Sequence, residues 1–138
     1  MREIEIYIDG ASKGNPGPAG IGVVVCHEGV TIKNISIFIG RATNNVAEYT
    51  ALIYGLKEGI AMKAESIKVN SDSQLLCRQL NRIYKIKNQD LLQLYNQVLL
   101  LSSAFKKMSI QHIRREKNSG ADKLANKAVK EAKKQQII

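Results

Sequence analysis

The chain opens with a period of two. Ile4, Ile6 and Ile8 alternate with Glu3, Glu5, Tyr7 and Asp9, which predicts a strand with one apolar face. Gly10 breaks the alternation, and Gly14-Asn15-Pro16-Gly17-Pro18 imposes a turn. Apolar runs predict a second strand over about Ile21–His27 and a third over about Val30–Ile39, with a turn at Glu28-Gly29 between them. Thr43-Asn44-Asn45 reads as a helix start, because Asn is a good N-cap. That helix is expected to run to about Lys63, with Glu48 in its first turn. Ala51, Leu52, Gly55 and Gly59 share one stripe, and the glycines cost helix propensity, so close packing on a sheet is the expected return. A strand at Ser66–Ser71 leads to Asp72, and a short helix starts at Ser73. Leu91, Leu92, Leu94, Tyr95, Val98, Leu99 and Leu101 predict a well-buried helix. A strand at Lys107–Ile113 and a lysine-rich helix from Ser119 to about Lys134 complete the pattern.

Three strands in a meander are thus followed by helix, strand, helices, strand and helix. The strand–helix–strand step requires parallel pairing. The expectation is an α/β fold: a five-stranded mixed sheet with helices packed on it. With 138 residues, the chain has room for one domain, expected to span 1–138.

Composition narrows the function classes. The N-terminus alternates charge with Ile, unlike a signal peptide. No apolar stretch reaches the ~20 residues of a membrane span. The expected location is therefore the cytoplasm, with no membrane partner. Cys26 and Cys77 are 51 residues apart and lack metal-ligand or redox spacing, so two reduced, partly buried thiols are expected. Twenty-one Lys and Arg against twelve Asp and Glu leave a net charge of +9, and such a surface attracts polyanions, nucleic acid above all. The stretch Arg114–Lys134 alone holds eight Lys or Arg and three acids.

Against this cationic background four carboxylates occupy element ends. Asp9 ends the first strand, Asp72 follows the fourth, and Glu48 and Asp122 lie near helix starts. Each alone has a plain explanation: Glu48 and Asp122 favour helix N-termini through the dipole, and Asp9 and Asp72 can serve turns. Together, at the crevice where open α/β sheets bind ligands, four carboxylates would need a cation to stay ionised. Hard divalent ions prefer such oxygens, and a pair of them suits phosphodiester cleavage. Spacing alone does not show convergence.

At this point the chain resembles ribonuclease H, specifically the type 1 enzymes, from about Ile4 to Ala132. Four blocks carry the resemblance: Asp9–Gly22, Thr43–Leu52 around Glu48, Asn70–Gln74 around Asp72, and Arg115–Asn126 around Asp122. The resemblance implies the ribonuclease H-like fold, with Asp9, Glu48, Asp72 and Asp122 as catalytic metal ligands in one crevice. It implies two Mg²⁺ ions, with Mn²⁺ as a substitute, and Asp9 is the choice for the shared carboxylate. It implies hydrolysis of the RNA strand of RNA–DNA hybrids, leaving 5′-phosphate and 3′-hydroxyl ends. Asn15, Asn44 and Gln74 carry over as minor-groove residues that sense 2′-hydroxyls, groups an amide can serve as donor or acceptor. Thr43 carries over as a contact to a DNA-strand phosphate.

Two departures stand out. The best-known bacterial members of that family carry a His on a mobile loop just before the last acid, whereas Arg114-Arg115-Glu116-Lys117-Asn118 has none. His112 is expected to be structural and His27 solvated. Arg115 or Lys117 is expected to take part of the missing role, because Arg stabilises charge on phosphate though it is no general base. The long basic protrusion is also absent. Arg78, Arg82, Lys85 and Lys87 form a short basic segment instead, to which Lys123, Lys127, Lys130, Lys133 and Lys134 on the last helix would add. A monomer is expected. The competing readings are a broader nuclease that also cuts double-stranded RNA and an inactive hybrid-binding module. The presence of all four acids disfavours the latter. A domain cut from a reverse transcriptase or transposon protein is not expected, because the chain opens with Met1.

Overall fold

The computed structural model of the protein describes residues 3–82 and 85–137, side chains of 133–137 excepted. Strands β1 (Glu3–Ser12), β2 (Gly17–His27) and β3 (Val30–Ala42) form an antiparallel meander. β4 (Ser66–Ser71) pairs parallel to β1, and β5 (Lys107–His112) parallel to β4, giving the sheet order β3-β2-β1-β4-β5. Helix α1 (Asn44–Ala61) links β3 to β4, α2 (Gln74–Leu80) and α3 (Gln89–Ser102) link β4 to β5, and α4 (Ser119–Ile137) follows a 3₁₀ turn at Arg115–Lys117. The expected five-stranded mixed sheet and element order are both present.

The alternation in β1 does what its period requires. Ile4, Ile6 and Ile8 are wholly buried, and opposite Ile6 and Ile8 stand Val25 and Val23. This face packs under α1, where a Cβ on Gly55 would lie 2.5 Å from Ile6 Cδ1, so the glycine stripe does bring the helix onto the sheet. The opposite face of β1, β2 and β3 is covered by α4.

Three details differ from the pattern-based expectation. β1 runs past Gly10 to Ser12 and β2 begins at Gly17, because Lys13 N–H donates to the Pro18 carbonyl at 2.9 Å and tightens the turn. The cap of α1 is Thr43, whose hydroxyl accepts from Val46 N–H, so Glu48 lies in the second turn and not the first. α3 buries only Leu91 and Val98, while Leu99 and Leu100 are 40% and 73% exposed. α3 lies chiefly against α1, so a single stripe suffices. Cys26 and Cys77 are free and buried, and burial pushes the Cys77 thiol up to about 11. No described helix is long and apolar enough to cross a membrane. Ile138 and the side chains of Lys133, Lys134 and Ile137 lie outside the described residues.

Candidate metal centre

The parallel ladder between β1 and β4 ends at the Ile8–Ser71 pair. The next residue on each strand is an acid, Asp9 and Asp72, so the register itself sets these two side by side at the carboxyl edge of the sheet. β1 continues alone with β2 beyond that point, and the parting of β1 from β4 opens a crevice.

Two glycines let helices deliver the other two acids. A Cβ on Gly10 would stand 2.5 Å from the Ala47 carbonyl carbon and 2.6 Å from Glu48 N, both backbone atoms. Only a residue without a side chain lets α1 approach so closely, and this sets Glu48 beside Asp9. On the other face Gly22 pairs with Asp9 across the β1–β2 ladder, and its Cβ would lie 2.1 Å from the Ala121 carbonyl oxygen. That contact seats the first turn of α4, with Asp122, over the same strand end. One oxygen each from Asp9, Glu48 and Asp72 lie within 4.8 Å of one another. All four acids line a cleft of about 510 Å³.

The electrostatics follow from this crowding. Asp9 is 5% exposed and Glu48 8%. Burial, then the Asp72 charge, then a hydrogen bond with Asp122 push the Asp9 carboxyl up to about 7. Burial followed by the Asp9 and Asp72 charges holds Glu48 well above the usual carboxylate range, although Gly10 N–H donates to it. Glu48 Oε2 is buried and accepts no hydrogen bond. An acidic cluster with an orphaned, buried acceptor suits a hard divalent cation, which would relieve the repulsion and satisfy that oxygen. The donor set therefore fits the metal that the sequence pattern implies.

The other predicted residues divide. Asn44 and Arg115 line the cleft. Asn15 joins it through Asn44, whose backbone N–H donates to Asn15 Oδ1 at 3.0 Å, while Ser12 N–H donates to Asn44 Oδ1 at 3.0 Å. Asn44 is thus no cap; it is the first helical residue, its amide turned to β1. Thr43, serving as the cap, and Gln74, the exposed first residue of α2, are not among the residues that line the cleft. His112 closes β5 with its side chain exposed, and no His lines the cleft among the described residues. Lys13, Asn45, Ser73 and Asn126 line it and were not singled out from sequence. Asn126 had a legible signal, since it lies one helical turn beyond Asp122, and its Nδ2 donates to Asp122 Oδ1 at 3.2 Å.

Known proteins resemble this chain in sequence and fold. A family model described as reverse transcriptase-like matches residues 7–128. A ribonuclease H of Pseudomonas putida is 34% identical over 145 residues, covering 94% of this chain and 95% of that protein. A bifunctional protein of Mycobacterium tuberculosis is 42% identical over 129 residues, covering 92% of this chain but 35% of that protein. The chain thus spans about a third of the length of the first curated relatives it matches. Among solved structures, the LC11 ribonuclease H1 from compost, in complex with an RNA/DNA hybrid, superposes with a TM-score of 0.88 at 40% identity, covering 94% of this chain and 98% of that one. On these matches and this fold, the chain belongs to the ribonuclease H family.

Proposed function

We propose that this protein is a divalent-metal-dependent endonuclease that hydrolyses the RNA strand of RNA–DNA hybrids, with residues 1–138 acting as one catalytic domain. The observation that carries the proposal is the convergence of Asp9, Glu48, Asp72 and Asp122 from four separate elements into one cleft. The similar LC11 enzyme, with its bound hybrid, supports the substrate class. Asp9, Glu48, Asp72 and Asp122 would hold two Mg²⁺ ions, with Mn²⁺ as a substitute. Bound there, the pair supplies a water of lowered pKa as nucleophile and neutralises charge on the leaving 3′-oxygen, giving 5′-phosphate and 3′-hydroxyl products.

The chain's own residues do the rest. Asp9 shares hydrogen bonds with both Glu48 and Asp122, which suits it to be the carboxylate common to both ions. The Oδ1 atoms of Asn15 and Asn44 are occupied by backbone N–H groups, so their Nδ2 donors remain for the substrate. Minor-groove acceptors and the 2′-oxygen are matching partners. Gln74 is exposed close by, two residues beyond Asp72, and completes this set. Thr43 keeps a hydroxyl proton to give to a DNA-strand phosphate. Arg115 brings an exposed guanidinium to the cleft, where it would stabilise phosphate charge.

The test is incubation with Mg²⁺ and an end-labelled hybrid, with double-stranded RNA, double-stranded DNA and Asp9→Asn alongside. Cleavage of the hybrid's RNA strand, abolished by EDTA and by the variant, is expected. Equal cleavage of double-stranded RNA would replace the proposal with a broader nuclease. Firm hybrid binding without cleavage in Mg²⁺ or Mn²⁺ would replace it with a binding module.

A further inference from the structure

Asn118 lies among exposed residues, Arg114 to Lys117 before it and Ser119 and Gly120 after it, yet it is 1% exposed itself. Its Nδ2 donates to the Ile8 carbonyl at 2.8 Å and reaches Asp72 Oδ2 at 3.4 Å. Its backbone carbonyl accepts from Asp122 N–H at 3.1 Å. A single residue therefore touches the peptide immediately before Asp9, the side chain of Asp72 and the peptide of Asp122. The contact to Ile8 falls where the β1–β4 ladder stops, so the amide bridges the two strands as they part. The other end of the amide, Oδ1, is buried and accepts no hydrogen bond. A buried orphaned acceptor costs free energy, and a residue kept only to fill space would avoid it.

We propose that Asn118 is a positioning residue: its amide holds Asp9 and Asp72, and its backbone carbonyl holds Asp122, at the mutual spacing that a divalent cation requires. The inference rests on reading the cluster as a metal site. Groups that orient metal ligands govern affinity without touching the ion. β1 and β4 reach the cleft as parallel neighbours and α4 reaches it from one face of the sheet, and Asn118 is bonded at the end of each. Without it the Ile8 carbonyl loses a donor and the Asp72 carboxylate loses its tether to β1, so the cluster widens.

The experiment is calorimetric titration of Ca²⁺ and Mg²⁺ into the wild-type protein, Asp9→Asn, Asn118→Ala and Asn118→Ser, with thermal melts of each in EDTA. The expected result for Asn118→Ala is a loss of cation affinity of about 10- to 100-fold, the range for groups that orient metal ligands. The Mg²⁺ concentration for half-maximal cleavage should rise by the same factor, while KM for the hybrid at saturating Mg²⁺ stays unchanged. Asn118→Ser, which keeps one donor, should fall between the wild type and Asn118→Ala, and it carries the test if the alanine variant does not fold. Wild-type cation affinity in folded Asn118 variants, with only a lower melting temperature, would make the residue structural and overturn the inference. Absence of cation binding in the wild-type protein would instead overturn the metal-site reading itself.

Discussion

Two charged regions of this molecule obey opposite rules. At the carboxyl edge of the sheet, four acids are packed against one another, and Asp9 and Glu48 are buried. Along the segment between α2 and α3 and on α4, the cations Arg82, Lys85, Lys87, Lys123, Lys127 and Lys130 are exposed. The acids are held by strand register and helix approach, so moving one backbone atom disturbs several of them. The cations stand on flexible stems in water, and each is replaceable by its neighbours. Like charges crowded out of water cost folding free energy that a bound proton or cation can return, whereas scattered surface cations cost almost nothing. On the proposed function, the comparison separates the chemistry from the grip.

The largest effect should come from a change at the crowded end. Asp9→Asn should lower the cleavage rate by about a thousandfold or more, the scale of losing a group that stabilises the transition state. Single-turnover assays at saturating Mg²⁺ read this directly, and a loss under tenfold would mean that Asp9 is not central.

Next comes the backbone that delivers the acids. Gly22→Ala forces a methyl group toward the Ala121 carbonyl at 2.1 Å, and backbone cannot step aside as a side-chain tip can. It should cost roughly 3 kcal/mol in urea unfolding, toward the upper end of overpacking costs, and weaken Mg²⁺ binding with it. Unfolding at the wild-type urea concentration would show that α4 is not seated by this contact.

A third effect concerns pH. Asp9 titrates at 3.8 when unperturbed and at about 7 in the folded, metal-free protein. A carboxyl raised on folding binds its proton more tightly in the native state. Its contribution to stability is therefore complete below about pH 4 and is lost as pH rises through 7. Asp9 alone should cost the metal-free protein up to about 1.4 kcal/mol per pH unit in that window, and Glu48, also raised, adds to the same slope, so Asp9→Asn should reduce it. Added Mg²⁺ should raise the melting temperature more at pH 8 than at pH 5. Equal increments would show that the cation does not bind this cluster.

The smallest effects belong to the cations. Lys85→Ala or Lys127→Ala should reduce the slope of log affinity against log salt by about one at most, with kcat unchanged. Lys127 is the weaker candidate, since it already faces Glu131 at 3.9 Å. Arg115→Ala lies between the two regions and should lower the single-turnover rate. Unchanged single-turnover and steady-state rates would remove it from the site.

Much of the site was legible before the fold. Asp72 does follow a strand end, while Asp9 follows the last β1–β4 rung although β1 itself runs on to Ser12, and the four motif blocks carried all four acids. What misled was local geometry. Asn44 read as a cap because its type favours caps, but Thr43 precedes it, and Asn44 is drawn instead to Ser12 of a distant strand. Glu48 read as a first-turn acid for the same reason. α3 read as well buried because leucine count does not report how many neighbours a helix has.

The sequence by itself determined the element order and the strand faces, since these follow from periodicity along a single stretch of chain, and it offered the four acids as candidates through the motif blocks of the family resemblance. Only the tertiary structure decided that the acids meet, that Gly10 and Gly22 are the points where helices touch strands, and that Asn118 ties three elements together. Those facts depend on contacts between residues as far apart as Ile8 and Asn118. No local pattern encodes such contacts, because they exist only once the sheet has set its register and the helices have closed upon it.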